Sequence, residues 1–262
     1  MMTLRVLIDP PQSGAHNMAV DEAIFEAVRS NAQPATLRLY AWMPACVSIG
    51  YGQRIRDVNQ AALAACGWDV VRRMTGGKAV LHAEELTYSV ALPAGHFLAE
   101  GGIIASYRRI SAALLVGLSA LGVEADAEGG IQGEATSPVC FDATSQYEIA
   151  HRGRKLIGSA QRRRDGAVCQ HGSLPLKGDL GRIRSVIMAK VESAPVQRGI
   201  TLMEATGGRL VAWQTAAEAL IAGFQAAHAL ELQYGTLSEA EMDESQRLSD
   251  EKYGDPAWTN RR

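Results

Sequence analysis

Four cysteines in 262 residues, Cys46, Cys66, Cys140 and Cys169, form neither a CxxC pair nor a Cys/His metal spacing. Neither a metal site nor a disulfide framework can be read from them, and a chain of this length needs no covalent staples. They read as reduced thiols. The chain also lacks a dominant charge: 26 Lys and Arg stand against 28 Asp and Glu, a net −2, which argues against a general nucleic-acid binder. A local basic run remains at Arg162, Arg163 and Arg164, suited to an acidic partner. No basic segment followed by a signal-length apolar run opens the sequence, because Pro10 and Pro11 stop it early. The longest apolar stretch, 112–123, is short for a bilayer and broken by Gly117, Ser119 and Gly122, so no membrane partner is expected. No repeat, linker or low-complexity tract divides the chain. These absences lead to the expectation of a soluble, cytoplasmic chain with one domain over 1–262.

Periodicity then supplies the elements. Val20, Ile24, Ala27 and Val28 recur at helical spacing after Ser13 and Asn17, predicting a helix over 15–30. Leu37 and Leu39, then Val47 and Ile49, read as two strands joined by a turn at Pro44. A second pair is expected at 69–73 and at 86–92, where Leu86, Tyr88, Val90 and Leu92 alternate. Tyr107, Ile110, Leu114, Leu118 and Leu121 form a helical stripe that stops at Gly122. Residues 124–138 have no period and read as a loop leading to Cys140. Three extended segments follow at 146–150, 155–163 and 167–174, the last two joined by Asp165-Gly166, a strong hairpin signal. Asp179 is a cap for a helix through Ile183 and Ile187, Trp213 to Phe224 give an amphipathic helix, and Ser238 with Glu241 has capping-box spacing. Antiparallel strand groups interleaved with helices imply an α+β or mixed α/β fold.

The chemistry concentrates in a few places. Arg72-Arg73-Met74-Thr75-Gly76-Gly77-Lys78 and His82 place cations around a double glycine between two apolar strands, where backbone can approach an anionic or pantetheine-linked group. A bare Gly-Gly turn with exposed charges reads the same way, and the GxxxxGK[ST] spacing of a phosphate loop is absent. Cys140 lies after Pro138 in a loop-like context, whereas Cys46 and Cys169 adjoin or enter strands. A lone cysteine is more often a buried apolar residue than a nucleophile. Lys155 begins an apolar strand with Gly158, Ser159 and Ala160. It reads either as a solvated strand end or as a cation aimed at an acyl carbonyl. His171 and Gly172 carry a similar ambiguity between core and site.

Taken together, Arg72 to His82 with Glu85 to Val90 resembles the RR-x-TGG-x-AV-x-H signature of the biotin/lipoate protein ligase superfamily. Gly14 to Glu22, Val47 to Gly50 and Lys155 to Ala160 are similar to its other blocks, so the likeness covers about 10–230, followed by a helical extension over about 236–262. Ser137 to Phe141 with Gln170 to Leu174 further resembles the LipM-type, cysteine-dependent octanoyltransferases. That resemblance implies a central mixed sheet with flanking helices, shared with class II synthetase catalytic cores. It implies Cys140 as a nucleophile that takes octanoyl from acyl carrier protein, and Lys155 as the family lysine. Arg72, Arg73, Thr75, Gly76, Gly77, Lys78, His82, Gly158, Ser159, Ala160, His171 and Gly172 are then the substrate-binding set. The acceptor implied is the glycine cleavage H protein or another lipoyl-carrier domain, and a thioester donor needs no nucleotide cofactor. Lipoate ligases carry a third glycine where this chain has Lys78, and lack the cysteine. An ATP-dependent ligase, an amidotransferase between lipoyl domains and a non-catalytic carrier-protein binding module remain as alternatives.

Overall fold

The computed structural model describes residues 2–127, 138–142, 148–188 and 199–261. In chain order these form β1 (Thr3–Ile8), α1 (Gly14–Arg29), β2 (Thr36–Tyr40), β3 (Cys46–Ile49), α2 (Gln60–Ala65), β4 (Asp69–Arg72), β5 (Val80–His82), β6 (Glu85–Leu92) and α3 (Ile103–Ala120). The second half holds β7 (Ile149–His151), β8 (Arg154–Arg164), β9 (Ala167–Pro175), α4 (Leu202–Ala205), α5 (Trp213–His228), β10 (Glu231–Tyr234), α6 (Glu239–Leu248) and α7 (Pro256–Asn260). Seven strands make one mixed sheet in the order β10-β1-β2-β6-β9-β8-β7, and β4-β3-β5 make a smaller second sheet. The mixed α/β architecture with flanking helices is the one expected.

Strand alternation decides which side of the large sheet is core. Leu86, Tyr88, Val90 and Leu92 of β6 join Leu37 and Leu39 of β2 in the main apolar cluster, with Ile110 and Leu114 of α3 and Leu220 and Phe224 of α5. The two helices cross closely because glycines face each other: a Cβ at Gly117 would lie 2.6 Å from Ala219 O, and one at Gly223 would lie 2.3 Å from Ala113 O. The alternate set, Glu85, Thr87, Ser89 and Ala91, looks toward α1, whose Val20, Ile24 and Val28 pack with Ala91 and Leu7. This opposite face is polar and small where it meets the smaller sheet, and that leaves room between the two sheets.

Several expectations need correction. The segments around Leu37 and Val47 are strands, but they belong to different sheets and do not pair with each other. The helix after Asp179 is a tight three-residue-per-turn segment, Leu180–Val186, although Asp179 does cap it at Gly181 N. Most of the run at 112–123 belongs to α3, which is long and apolar enough, by length and composition alone, to cross a membrane. Its Ile110, Ala113, Leu114 and Leu118 are buried against α5 and the sheet, as in a core helix. Most of the loop expected at 124–138 and the start of the segment at 146–150 lie outside the described residues. The local signals hold: Asp165 and Gly166 turn with φ of 51° and 81°, and Ser238 and Glu241 form a reciprocal capping box.

Candidate active site

A cavity of about 650 Å³ opens between the sheets. Its floor is a row of paired residues crossing four strands of the large sheet, Tyr40↔Thr87, Thr87↔Ser173 and Ser173↔Gly158. Its roof comes from the smaller sheet and its loops, through Ser48, Arg73, Gly76, Gly77, Lys78, Val80 and His82. Met18 of α1, Trp42 and the first turns of α3 complete the lining. Three inter-strand spacings of about 4.8 Å make the row roughly 14 Å long. The β8 end has no bulk on the row: a Cβ at Gly158 would lie 2.9 Å from Lys155 Cε and 3.0 Å from Cys140 Sγ.

Cys140 is held by its own backbone. Ala79 N–H donates to Pro138 O and Cys140 N–H to Ala79 O, both at 2.9 Å, so residues 138–140 dock beside the strand that follows the double glycine. The thiol is half-buried, and Lys155 Nζ donates to Cys140 Sγ at 3.0 Å and to Cys140 O at 2.9 Å. Lys155 is no solvated strand end: it is 1% exposed and paired with Glu148 Oε1 at 2.5 Å. Burial pushes its pKa down, but the charges of Cys140 and Glu148 outweigh that and leave it above the ordinary lysine value. Cys46 and Cys169 are fully buried and burial pushes both thiols up, while Cys66 is exposed at the end of α2. Loop-like context alone therefore does not single out Cys140. The adjacent ammonium does.

The double-glycine loop is shaped from below by Arg73, which donates to Gly76 O and Lys78 O at 2.8 Å and to Ser48 O at 3.0 Å. Burial lowers the pKa of this guanidinium to about 10. Thr75 Oγ1 and His171 Nε2 are 2.6 Å apart, and His171 Nδ1 is 3.3 Å from Asp21 Oδ2. A carboxylate can only accept, so Nδ1 carries the proton. Burial alone would raise the Asp21 pKa, but the His171 hydrogen bond and Arg38 hold it below the ordinary value. His82 stacks on Trp42 with centroids 4.0 Å apart and hydrogen-bonds Ser48 Oγ at 2.8 Å, and burial lowers its pKa.

Of the sequence-predicted residues, Cys140, Lys155, Arg73, Gly76, Gly77, Lys78, His82, Gly158, Ser159, Ala160, His171 and Gly172 line this one cavity. Thr75 does not line it, being 1% exposed beneath His171. Arg72 does not line it either. It donates to Gly50 O at 3.0 Å, Gln53 O at 2.6 Å and Thr259 O at 2.7 Å, fastening the C-terminal segment to the loops after β3. Sequence reasoning missed Glu148, Asp21, Ser48, Tyr40, Trp42, Tyr107 and Met18. For Glu148 a signal existed, because a turn at 151–154 brings 148–150 back alongside Lys155. Among the described residues no three His, Cys, Asp or Glu gather as metal ligands would.

Residues 13–225 match the model of the lipoyl protein ligase A/B catalytic domain family. Octanoyltransferase LipM of Symbiobacterium thermophilum is 41% identical, the match covering 98% of each chain. Its namesake from Moorella thermoacetica is 39% identical over 94% of this chain and 93% of its own. Among solved structures, a lipoate-protein ligase A bound with ATP superposes with a TM-score of 0.84 at 26% identity, covering 99% of both chains. A bipartite lipoate protein ligase from Thermoplasma acidophilum shares the fold, with a TM-score of 0.80 at 23% identity over 99% of this chain and 97% of that one.

Proposed function

Because this chain belongs to the lipoyl protein ligase A/B catalytic domain family and is an acyltransferase, we propose that it moves octanoyl from acyl carrier protein to a lipoyl-carrier lysine through a Cys140 thioester. The observation that carries this reading is the Lys155 ammonium 3.0 Å from the half-buried Cys140 thiol, both lining a largely apolar cavity. The thiolate attacks the donor thioester carbonyl, the donor leaves as a thiolate, and Lys155 supports the negative charge that builds on the carbonyl oxygen. The amine of the acceptor lysine then attacks the acyl-enzyme. An amide bond forms, the bond to Cys140 breaks and the amine proton passes to water. One thioester is exchanged for another at little free-energy cost, so the first step needs no nucleotide.

The cavity suits an eight-carbon chain. An extended octanoyl group reaches roughly 9 Å at the ~1.2 Å per bond of an extended backbone. From Gly158 the row runs far enough to take it and end against Tyr40 and Trp42. Each buried methylene contributes about 0.8 kcal/mol, so a filled cavity favours the full chain over shorter ones. The acceptor in this reading is the glycine cleavage H protein or another lipoyl-carrier domain, in the cytoplasm.

The competing reaction, ATP-dependent ligation of free octanoate or lipoate, is favoured by the likeness to the ATP-bound ligase structure. Lys78 at the position of the ligases' third glycine and the Cys140–Lys155 pair favour transfer instead. The discriminating assay modifies a lipoyl-carrier protein with octanoyl-acyl carrier protein, with and without ATP and Mg²⁺, beside free octanoate plus ATP. Transfer from the thioester should be indifferent to ATP. Efficient use of free octanoate that disappears without ATP would replace the transferase with a ligase.

A further inference from the structure

We propose that the Tyr107 hydroxyl is a catalytic donor that hydrogen-bonds the acyl carbonyl oxygen in both half-reactions, beside the Lys155 ammonium. The inference rests on the acyl-transfer reading above. It begins from the hydroxyls of the cavity. Six line it, on Tyr40, Ser48, Thr87, Tyr107, Ser159 and Ser173. Five are engaged: Tyr40 OH donates to Asp21 Oδ2 at 2.8 Å, Thr87 and Ser173 donate to Glu85 at 2.8 and 2.6 Å, Ser48 Oγ meets His82 and Arg73, and Ser159 Oγ lies 2.8 Å from Tyr88 OH. The Tyr107 hydroxyl has no hydrogen-bond partner among the described residues. A half-buried phenol lining a largely apolar space holds a donor that a bound group can take up.

Its placement matches the reacting atoms. Ile103, Ile104 and Tyr107 of α3 line the cavity together, the two isoleucines 59% and 47% exposed and Tyr107 a turn further along the helix. Gln161 Nε2 donates to Ser106 Oγ at 3.3 Å and Arg163 Nη2 to Ala99 O at 2.5 Å, which tie the start of this helix and the loop before it to β8. The same strand supplies Gly158, where a Cβ would lie 3.0 Å from Cys140 Sγ. Tyr107 is close enough to Cys140, Glu148 and Arg73 for their charges to act on it, and Cys140 and Tyr107 both act on Arg73. The carbonyl of an acyl group on that sulfur therefore forms in the space these groups share. Burial pushes the phenol above its ordinary value, so Tyr107 stays neutral and keeps its proton to donate.

Both half-reactions pass through the same carbonyl. A nucleophile, the Cys140 sulfur first and the acceptor amine second, adds to the carbonyl carbon and moves the π pair onto oxygen. The pair returns as a thiolate leaves, the donor's in the first half and that of Cys140 in the second, while the amine proton passes to water. Tyr107 gives up no proton. Its hydrogen bond strengthens as the oxygen gains charge, so it favours the transition state over the ground state.

The test compares full-length wild type with Tyr107→Phe, which keeps the ring and deletes only the oxygen. Acylation by octanoyl-acyl carrier protein is followed by intact mass over a range of donor concentrations, and the isolated acyl-enzyme is then mixed with an apo lipoyl-carrier protein. Both halves should slow on the order of 100-fold, the scale of losing one preorganised donor, with the donor KM and thermal melting close to wild type. The bond itself is read on an acyl-enzyme isotope-labelled at the carbonyl carbon. Because a hydrogen bond weakens C=O, isotope-edited infrared should place the thioester carbonyl stretch at higher wavenumber in Tyr107→Phe than in wild type. A merely structural tyrosine would leave that band where it is. Slowing confined to the first half, with a raised donor KM, would give the hydroxyl to the donor's arm and overturn the proposal. So would an unshifted band, or rates within a few-fold of wild type. Failure of the underlying transfer reading shows separately, as wild type without any adduct.

Discussion

At the β8 edge of the cavity Lys155 joins Cys140 to Glu148, and one strand further in His171 joins Thr75 to Asp21. Both arrays set a hydroxyl or thiol, a nitrogen base and a buried carboxylate within reach of one another. By spacing alone the His171 array resembles a hydrolase triad more closely than the Lys155 array does. Its members are otherwise committed. Asp21 accepts from Arg38 Nη1 and from Tyr40 OH, both at 2.8 Å, and Thr75 is shut away from the cavity. That array ties α1, β2, β9 and the double-glycine loop together. The Lys155 array instead ends in a half-buried sulfur facing the cavity. The difference teaches that an accessible nucleophile, more than a chain of hydrogen bonds, marks the reacting group.

Truncating Lys155 should have the largest effect of the variants that distinguish the arrays. A solvated strand-end lysine packs little, so its truncation would leave thermal melting almost unmoved. Its burial beside Glu148 changes that: the variant removes the ammonium paired with a buried carboxylate. It should lose about 3 kcal/mol of stability in denaturant titration as well as transfer activity on the order of 100-fold or more. Activity within a few-fold of wild type would remove Lys155 from the reacting array.

Asp21→Asn should break the structural array instead, costing roughly 3 kcal/mol while a folded fraction still forms the acyl adduct. Its pH dependence follows in sign. The folded pKa of Asp21 lies below the unfolded value, so its contribution is present above the ordinary 3.8 and is lost as pH falls through the folded value. The stability gap between wild type and Asp21→Asn should accordingly shrink on acidification below that window. A gap that widened, or loss of the adduct by a fully folded variant, would put Asp21 in the chemistry.

A smaller effect is expected at the far wall. Trp42 and His82 line both the cavity and a neighbouring one of about 860 Å³ that includes Ile8, Pro10 and Leu176. Trp42→Ala should join the two spaces and raise the relative rate for acyl chains longer than octanoyl, with modest loss on octanoyl itself. An unchanged chain-length profile would mean that the limit lies elsewhere.

How far these features could be read from the sequence depended on how local they are. The stripe from Tyr107 to Leu121, the Asp165-Gly166 turn and the Ser238–Glu241 box are each written within a few residues, and the structure holds all three. The assignment of neighbouring strands β2 and β3 to different sheets was not legible, because pairing with β6 and β4 is decided by partners distant in sequence. Neither was β1, which finds its place between β2 and β10. At the site, the block from Arg72 to His82 pointed to the right loop, but not to which arginine shapes it. Arg72 ends β4 and Arg73 follows it directly, and the two face different ways, Arg73 toward the cavity and Arg72 toward the C-terminal segment. Asp21 was hidden for a similar reason: a carboxylate on the buried side of a helix makes sense only once Arg38, Tyr40 and His171 are packed against it.

The central claim is that Cys140 carries the acyl group, and intact mass tests it most directly. Wild type, Cys140→Ala and a triple substitution of Cys46, Cys66 and Cys169 by alanine are each incubated with octanoyl-acyl carrier protein without ATP, followed by peptide mapping. The account predicts one octanoyl group on Cys140 in wild type and in the triple variant, and none in Cys140→Ala. An undiminished adduct in Cys140→Ala would contradict it.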